Sequence, residues 1–174
     1  IPAMWLGVVM GRNQHAWLRY SLFVAALGLI PVIASFPFSI VMFGVGDFQK
    51  WAMVAAAVFY PIFYCTTKGV QISRILQAAA NSPVEDVIRS DWLQGPGPWI
   101  FTGLKMGSVI GLATLLGVEM QTSTRGLGFE IVVAMANLNL VRAYVGMFAA
   151  ALVMYALWLC LTSIELMWTK SSMA

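Results

Sequence analysis

Tyr20-SLFVAALGLIPVIASFPFSIVMFGV-Gly46 runs for 27 residues without a side chain that is charged at neutral pH. A helix of about 20 apolar residues crosses a ~30 Å hydrocarbon core, so this stretch spans even when tilted. Pro31 and Pro37 remove backbone donors within it. Membrane helices tolerate that where neighbours or local adjustments satisfy the freed carbonyls, and a kink is expected near Pro31 to Pro37.

Working outward, the same character recurs. Trp51–Thr67 is a second apolar run, rich in aromatics. Trp99–Val118 is a third, interrupted only by Lys105. A short apolar piece, Ile131–Ala136, precedes a last run, Ala143–Ile164. Ile1–Met10 reads as the end of a further span and not as a signal peptide, because it lacks a basic leader. The whole chain is 60% hydrophobic and 10% charged over 174 residues, with mean hydropathy +0.83, against roughly 25% charged in a soluble domain. These features predict an all-α, polytopic transmembrane helical bundle with about five crossings and a single membrane domain over residues 1–174.

The loops carry the orientation. One alternate set holds Arg12, Arg19, Lys68, Arg74, Arg89 and Lys170, and the other holds Lys50, Arg125 and Arg142, so the first set is expected in the cytoplasm. The polar stretch of about 68–97, with breakers at Pro83, Gly95 and Pro96, therefore forms a cytoplasmic loop.

Several function classes fall away. A net charge of +3 reflects topology and implies no nucleic-acid partner. Cys65 and Cys160 lie in apolar runs and read as packing residues. His15 is the only histidine, so no imidazole pair can hold haem or zinc, and no metal site or bound cofactor is expected in this chain. Ser35, Ser39 and Ser108 have no intramembrane histidine to activate them, which disfavours an intramembrane enzyme. In Trp99–Val118, Gly103, Gly107, Ser108 and Gly111 recur every three to four residues, so one helix face admits close backbone approach. Lys105 and Glu119 are the ionisable groups at membrane depth or its edge. Lys105 either attracts an anionic solute or snorkels to the headgroups, and Glu119 either faces a wet pathway or is hydrated at the outer surface.

Three ordered blocks carry a family resemblance: Ile30-PVIASF-Pro37 with Phe43-GV-Gly46; Phe59-YPI-Phe63; and Trp99-IFTGLKM-Gly107, leading to Val118-Glu119-Met120 and Arg125-GLG-Phe129. Between them, Gln77, Ala78, Ala79 and Pro83 occupy the positions of an E-A-A, three residues, G loop. The sequence resembles, over nearly its whole length, the permeases of ABC importers in the nitrate, sulfonate, taurine and bicarbonate branch. Two departures stand out: Gln77 replaces the loop's carboxylate and Pro83 its glycine.

The resemblance implies a type I importer permease-like fold with further helical sequence ahead of Ile1. It implies a coupling loop built from Gln77, Ala78, Ala79 and Pro83, with Arg74 and Glu85 on its rim, docking on a separate ATP-binding subunit that holds ATP and magnesium. It also implies a second permease copy (identical or paralogous), a periplasmic or lipid-anchored substrate-binding protein, and residence in the bacterial inner membrane. A translocation pathway past Lys105, Gly107, Gly111, Glu119 and Met120 for a small anionic solute is the corresponding expectation. Altered loop residues leave a permease-derived scaffold without transport as the alternative.

Overall fold

The computed structural model describes residues 2–13, 19–20, 26, 32–79 and 97–173, and these are helical with short connections. The helices are α1 (Pro2–Arg12), α2 (Phe36–Phe43), α3 (Asp47–Ala79), α4 (Gly97–Thr122), α5 (Leu127–Ala136) and α6 (Leu140–Met173). A single 3-10 turn, Val32–Ser35, precedes α2. The chain is an all-α, multi-pass membrane protein. Three stretches, Asp47–Ile75, Gly97–Thr122 and Leu140–Thr169, are each long and apolar enough to cross a bilayer.

The remaining expected crossings are only partly described. Of Ile1–Met10, the described part from Pro2 falls in α1, an 11-residue helix that is too short to span alone. Of Tyr20–Gly46, most of the residues before Val32 lie outside the described set. The part that is described is not one kinked helix: the 3-10 turn ends at Ser35 and α2 starts at Phe36, with Pro37 in its first turn. Proline lacks the N–H that the first turn leaves unpaired in any case, so Pro37 starts a helix here instead of bending one.

The second difference lies in α3. The polar stretch begins at Lys68, yet the helix continues to Ala79, 33 residues in all, with Pro61 inside it. Residues 70–79 are mostly good helix formers, and Gly69, Val70 and Ser73 are buried, so packing carries the helix beyond the point where charge appears. Helix α6 likewise passes Ile164 and continues to Met173.

The chain divides into two compact units. In the first (residues 1–29, 59–107 and 160–174), α1 lies on α3 through glycines. A Cβ on Gly7 would stand 2.8 Å from the Thr66 side chain, and one on Gly11 would stand 2.7 Å from Val70. Ala3 and Phe63 form the centre of this contact, flanked by Met10, Tyr60 and Ile62. The hydroxyls of Thr66, Thr67 and Ser73 donate to the carbonyls four residues back, at 2.7, 2.8 and 2.7 Å, so these three hydroxyls are paired within the helix. Helix α4 meets α3 at Gly69, against Trp99, and at Gly103, against Cys65 and the backbone of Ile62.

In the second unit (residues 30–58 and 108–159), Phe36, Met53 and Val118 make the core, with Val32 and Ile40 beside them. Gln49, fully buried, donates to Ser39 at 2.9 Å, and Ser39 donates to the Phe36 carbonyl at 2.7 Å. Gly111 admits Val58, and Gly146 of α6 admits Ile131 of α5. Small residues at helix crossings are the general means of association in lipid, where apolar burial alone gives little drive.

Candidate functional site

The strongest constellation of polar groups lies in the second unit, at the N-terminus of α3 and the turn from α4 to α5. Asp47 opens α3 and holds two cations. Lys50, one turn on, donates from Nζ to Oδ1 at 2.9 Å, and Arg125 reaches Oδ2 at 3.3 Å. Glu119, in the last turn of α4, reaches forward nine residues and accepts the Gly128 amide on Oε2 at 2.9 Å. Gly128 lies in the first turn of α5, whose leading amides have no intrahelical acceptor. Glu119 thus caps α5 from outside, and its negative charge suits the positive end of the helix dipole.

Two glycines make this cap possible. Gly126 has φ +123°, a region that side chains rarely enter, and a Cβ there would collide with the Glu119 carboxylate. A Cβ on Gly128 would stand 2.5 Å from the Leu116 carbonyl oxygen. The Arg125-GLG-Phe129 motif is therefore a tight turn folded onto a carboxylate.

Asp47, Lys50, Glu119 and Arg125 line a cavity of about 480 Å³ together with Trp51, Val54, Leu115 and Gly126. Two cations and two carboxylates face one small volume whose other walls are mostly apolar. Lys50 is largely covered, with 15% of its side chain exposed, whereas Arg125 is 81% exposed.

The expected pathway residues are divided between the two units, with Gly111, Glu119 and Met120 in the second. Gly111 packs on Val58, Glu119 caps α5, and Met120 is exposed. Lys105 and Gly107 belong to the first unit, where Gly107 is buried. There Lys105 pairs with Glu165 of α6 at 2.5 Å, both side chains less than a quarter exposed. Glu165 lies immediately beyond Ile164, where the last apolar run ends in the sequence, so hydropathy alone does not mark it. Lys50 and Arg125 enter the sequence reading only as loop charges, and Asp47 does not enter it at all. Their clue was that, with Glu119, both signs occur in equal number on the loops assigned to one side of the membrane.

Of the coupling-loop residues, Gln77, Ala78 and Ala79 form the last turn of α3, while Pro83 and Glu85 lie outside the described residues. Arg74 donates from Nη1 to the Arg12 carbonyl at the end of α1, which ties the approach to the loop to its neighbouring helix. No group of three or more potential metal ligands occurs among the described residues.

Long apolar helices and glycine-mediated crossings define a membrane-embedded helical protein. Known proteins agree with that class. The chain is 29% identical over 130 residues, 72% of its length and 47% of the relative's, to the taurine transport system permease protein of Escherichia coli (strain K12). It is 28% identical over 134 residues (74% and 50%) to a protein of Methanocaldococcus jannaschii named as an ABC transporter permease. It is 22% identical over 156 residues (85% and 55%) to a protein of Bacillus subtilis (strain 168) named as an aliphatic sulfonates transport permease. No family model matches the chain. The resemblance to ABC transporter permeases of the sulfonate and taurine branch is thus borne out, and the chain spans about half the length of the curated relatives it matches.

Proposed function

We propose that the chain is the membrane-spanning permease part of an ABC-type importer. It moves a small anionic solute, of the nitrate, sulfonate or bicarbonate kind, by alternating access. A partner ATPase, carrying ATP and magnesium, drives the cycle through the loop that begins at Gln77, Ala78 and Ala79 and continues to Pro83 and Glu85. A second permease copy and a substrate-binding protein complete the assembly in the bacterial inner membrane.

The observation that carries this reading is that three relatives, each covering most of the chain, are all named as permeases, two of them for sulfonate-type solutes. Continuation of α3 as a helix up to Ala79 adds support, since a stiff helix running directly into the loop would transmit a push at the loop to the membrane core. The alternative, a permease-derived scaffold without transport, draws on Gln77 and Pro83. Proline removes a donor and the backbone freedom that a glycine would give the turn.

The test is ATP hydrolysis by the full-length protein reconstituted with the products of its neighbouring genes. Ala78→Asp and Ala79→Asp should each abolish stimulated hydrolysis while leaving the melting temperature unchanged. Hydrolysis indifferent to both substitutions would exclude coupling through this loop.

A further inference from the structure

We infer that the joined ends of α1 and α3 form a binding site for the headgroup of an anionic phospholipid, with Arg12 and Arg74 as the residues that recognise it. The site lies within the first unit and goes beyond the permease reading, on which it does not rest.

Its placement comes from one glycine and one hydrogen bond. Gly11 lets α1 lie against Val70, one turn before Arg74. Arg74 then donates from Nη1 to the carbonyl of Arg12, the last residue of α1. Carbonyls at a helix C-terminus lack an intrahelical donor and carry the negative end of the dipole, so a guanidinium from α3 suits this position. The bond brings two arginines 62 positions apart in the chain to one helix end.

Two like charges gathered there call for an anion. Neither arginine forms an ion pair with a carboxylate among the described residues. Glu165, the one carboxylate among the described residues of this unit, is held by Lys105. Arg74 uses one of the five N–H donors of a guanidinium on the Arg12 carbonyl, and Arg12 is exposed, so donors remain for phosphate oxygens.

Depth selects a lipid as the source of that phosphate. Arg74 is the last residue but one of the membrane-crossing stretch Asp47–Ile75, and Trp99, near the start of Gly97–Thr122, packs on Gly69. Long cationic side chains and an indole at the ends of such stretches mark the headgroup layer, where phosphate is abundant and basic residues attract anionic lipid.

The experiment titrates lipid into the full-length protein, delipidated in mild detergent, and reads the dissociation constant of the first bound lipid by native mass spectrometry. The probes are phosphatidylglycerol and phosphatidylcholine. Phosphatidylglycerol should bind at least about tenfold more tightly, and a large excess of inorganic phosphate should not displace it. Arg12→Gln and Arg74→Gln should each weaken phosphatidylglycerol about fivefold, the value of one basic side chain near an anionic surface, and leave phosphatidylcholine unmoved. Arg12→Gln keeps the carbonyl that Arg74 holds, so it removes charge without opening the helix contact. Arg142→Gln, from the opposite set of cations, should change neither lipid. Equal binding of the two lipids, displacement by phosphate, a phosphatidylglycerol affinity unmoved by both substitutions, or an equal loss with Arg142→Gln would overturn the inference. So would loss of a copurifying ATPase subunit in Arg74→Gln with lipid binding unchanged, which would assign that arginine to a protein partner. Selective lipid binding without any ATPase subunit refutes the importer alone.

Discussion

Lys105 of α4 and Glu165 of α6 form an ion pair of 2.5 Å. Lys105 lies eight residues after the start of α4 and Glu165 eight before the end of α6, so each sits about 12 Å from its helix end. Both residues fall within stretches long and apolar enough to cross a bilayer, Gly97–Thr122 and Leu140–Thr169, where an ionisable group is costly unless paired. Phe101 and Trp168 stack edge to face nearby, with ring centroids 6.4 Å apart, which fixes the same helix crossing.

Lys105→Met should therefore destabilise the protein by about 1–3 kcal/mol, less than loss of a fully buried pair because both groups keep some exposure. Glu165→Leu added to it should restore most of the loss, since two apolar side chains leave no orphaned charge. A double-mutant cycle on melting in detergent checks this. Additive losses would mean that the two charges do not stabilise each other.

The cap on α5 gives a second expectation. Glu119→Ala leaves the Gly128 amide without its acceptor and should cost about 1–2 kcal/mol, whereas Glu119→Gln should cost less than half as much. Gly128→Ala should be worse than its size suggests, about 1–3 kcal/mol, because the rigid Leu116 carbonyl blocks the new methyl group. Chemical denaturation in mild detergent reads all three.

The end of α5 provides a stabilising change. Asn139 donates its amide to the Ala134 carbonyl at 2.9 Å and Leu138 to the Met135 carbonyl at 3.0 Å, the paired bonds of a Schellman turn. That turn puts Leu138 at φ +54°, where glycine is usual, and its side chain is 86% exposed. Leu138→Gly should raise stability by roughly 1 kcal/mol, a gain a thermal melt would register, as strain at φ outweighs the lost side-chain contacts.

Orientation is open to labelling. In a background with Cys65 and Cys160 replaced, Ser90→Cys should react with a membrane-impermeant maleimide only from the cytoplasmic side. Thr124→Cys should react only from the opposite side. Labelling of both from one side would break the alternation of loops on which the charge argument depends.

The helical, membrane-spanning character was legible because hydrocarbon imposes length and composition, and runs such as Trp99–Val118 satisfy both. The face formed by Gly103 and Gly111 was equally legible from spacing, and both glycines do receive α3. Helix ends were harder. Lys68 and Glu165 look like exits from the membrane when charge alone is weighed, but buried Val70 and Ser73 carry α3 onward and Lys105 holds Glu165 within α6. The cavity was hidden for a different reason. Asp47 and Arg125 are 78 residues apart, and nothing in local pattern indicates that two loop charges will meet.

Association with a nucleotide-hydrolysing subunit tests the permease function most directly. The full-length protein, expressed with its neighbouring genes and purified in mild detergent, should bring an ATP-binding subunit with it, seen by mass spectrometry, and should lose that subunit on Ala78→Asp or Ala79→Asp. Absence of any such subunit under every mild condition would contradict the importer account and leave a permease-like fold retained for scaffolding.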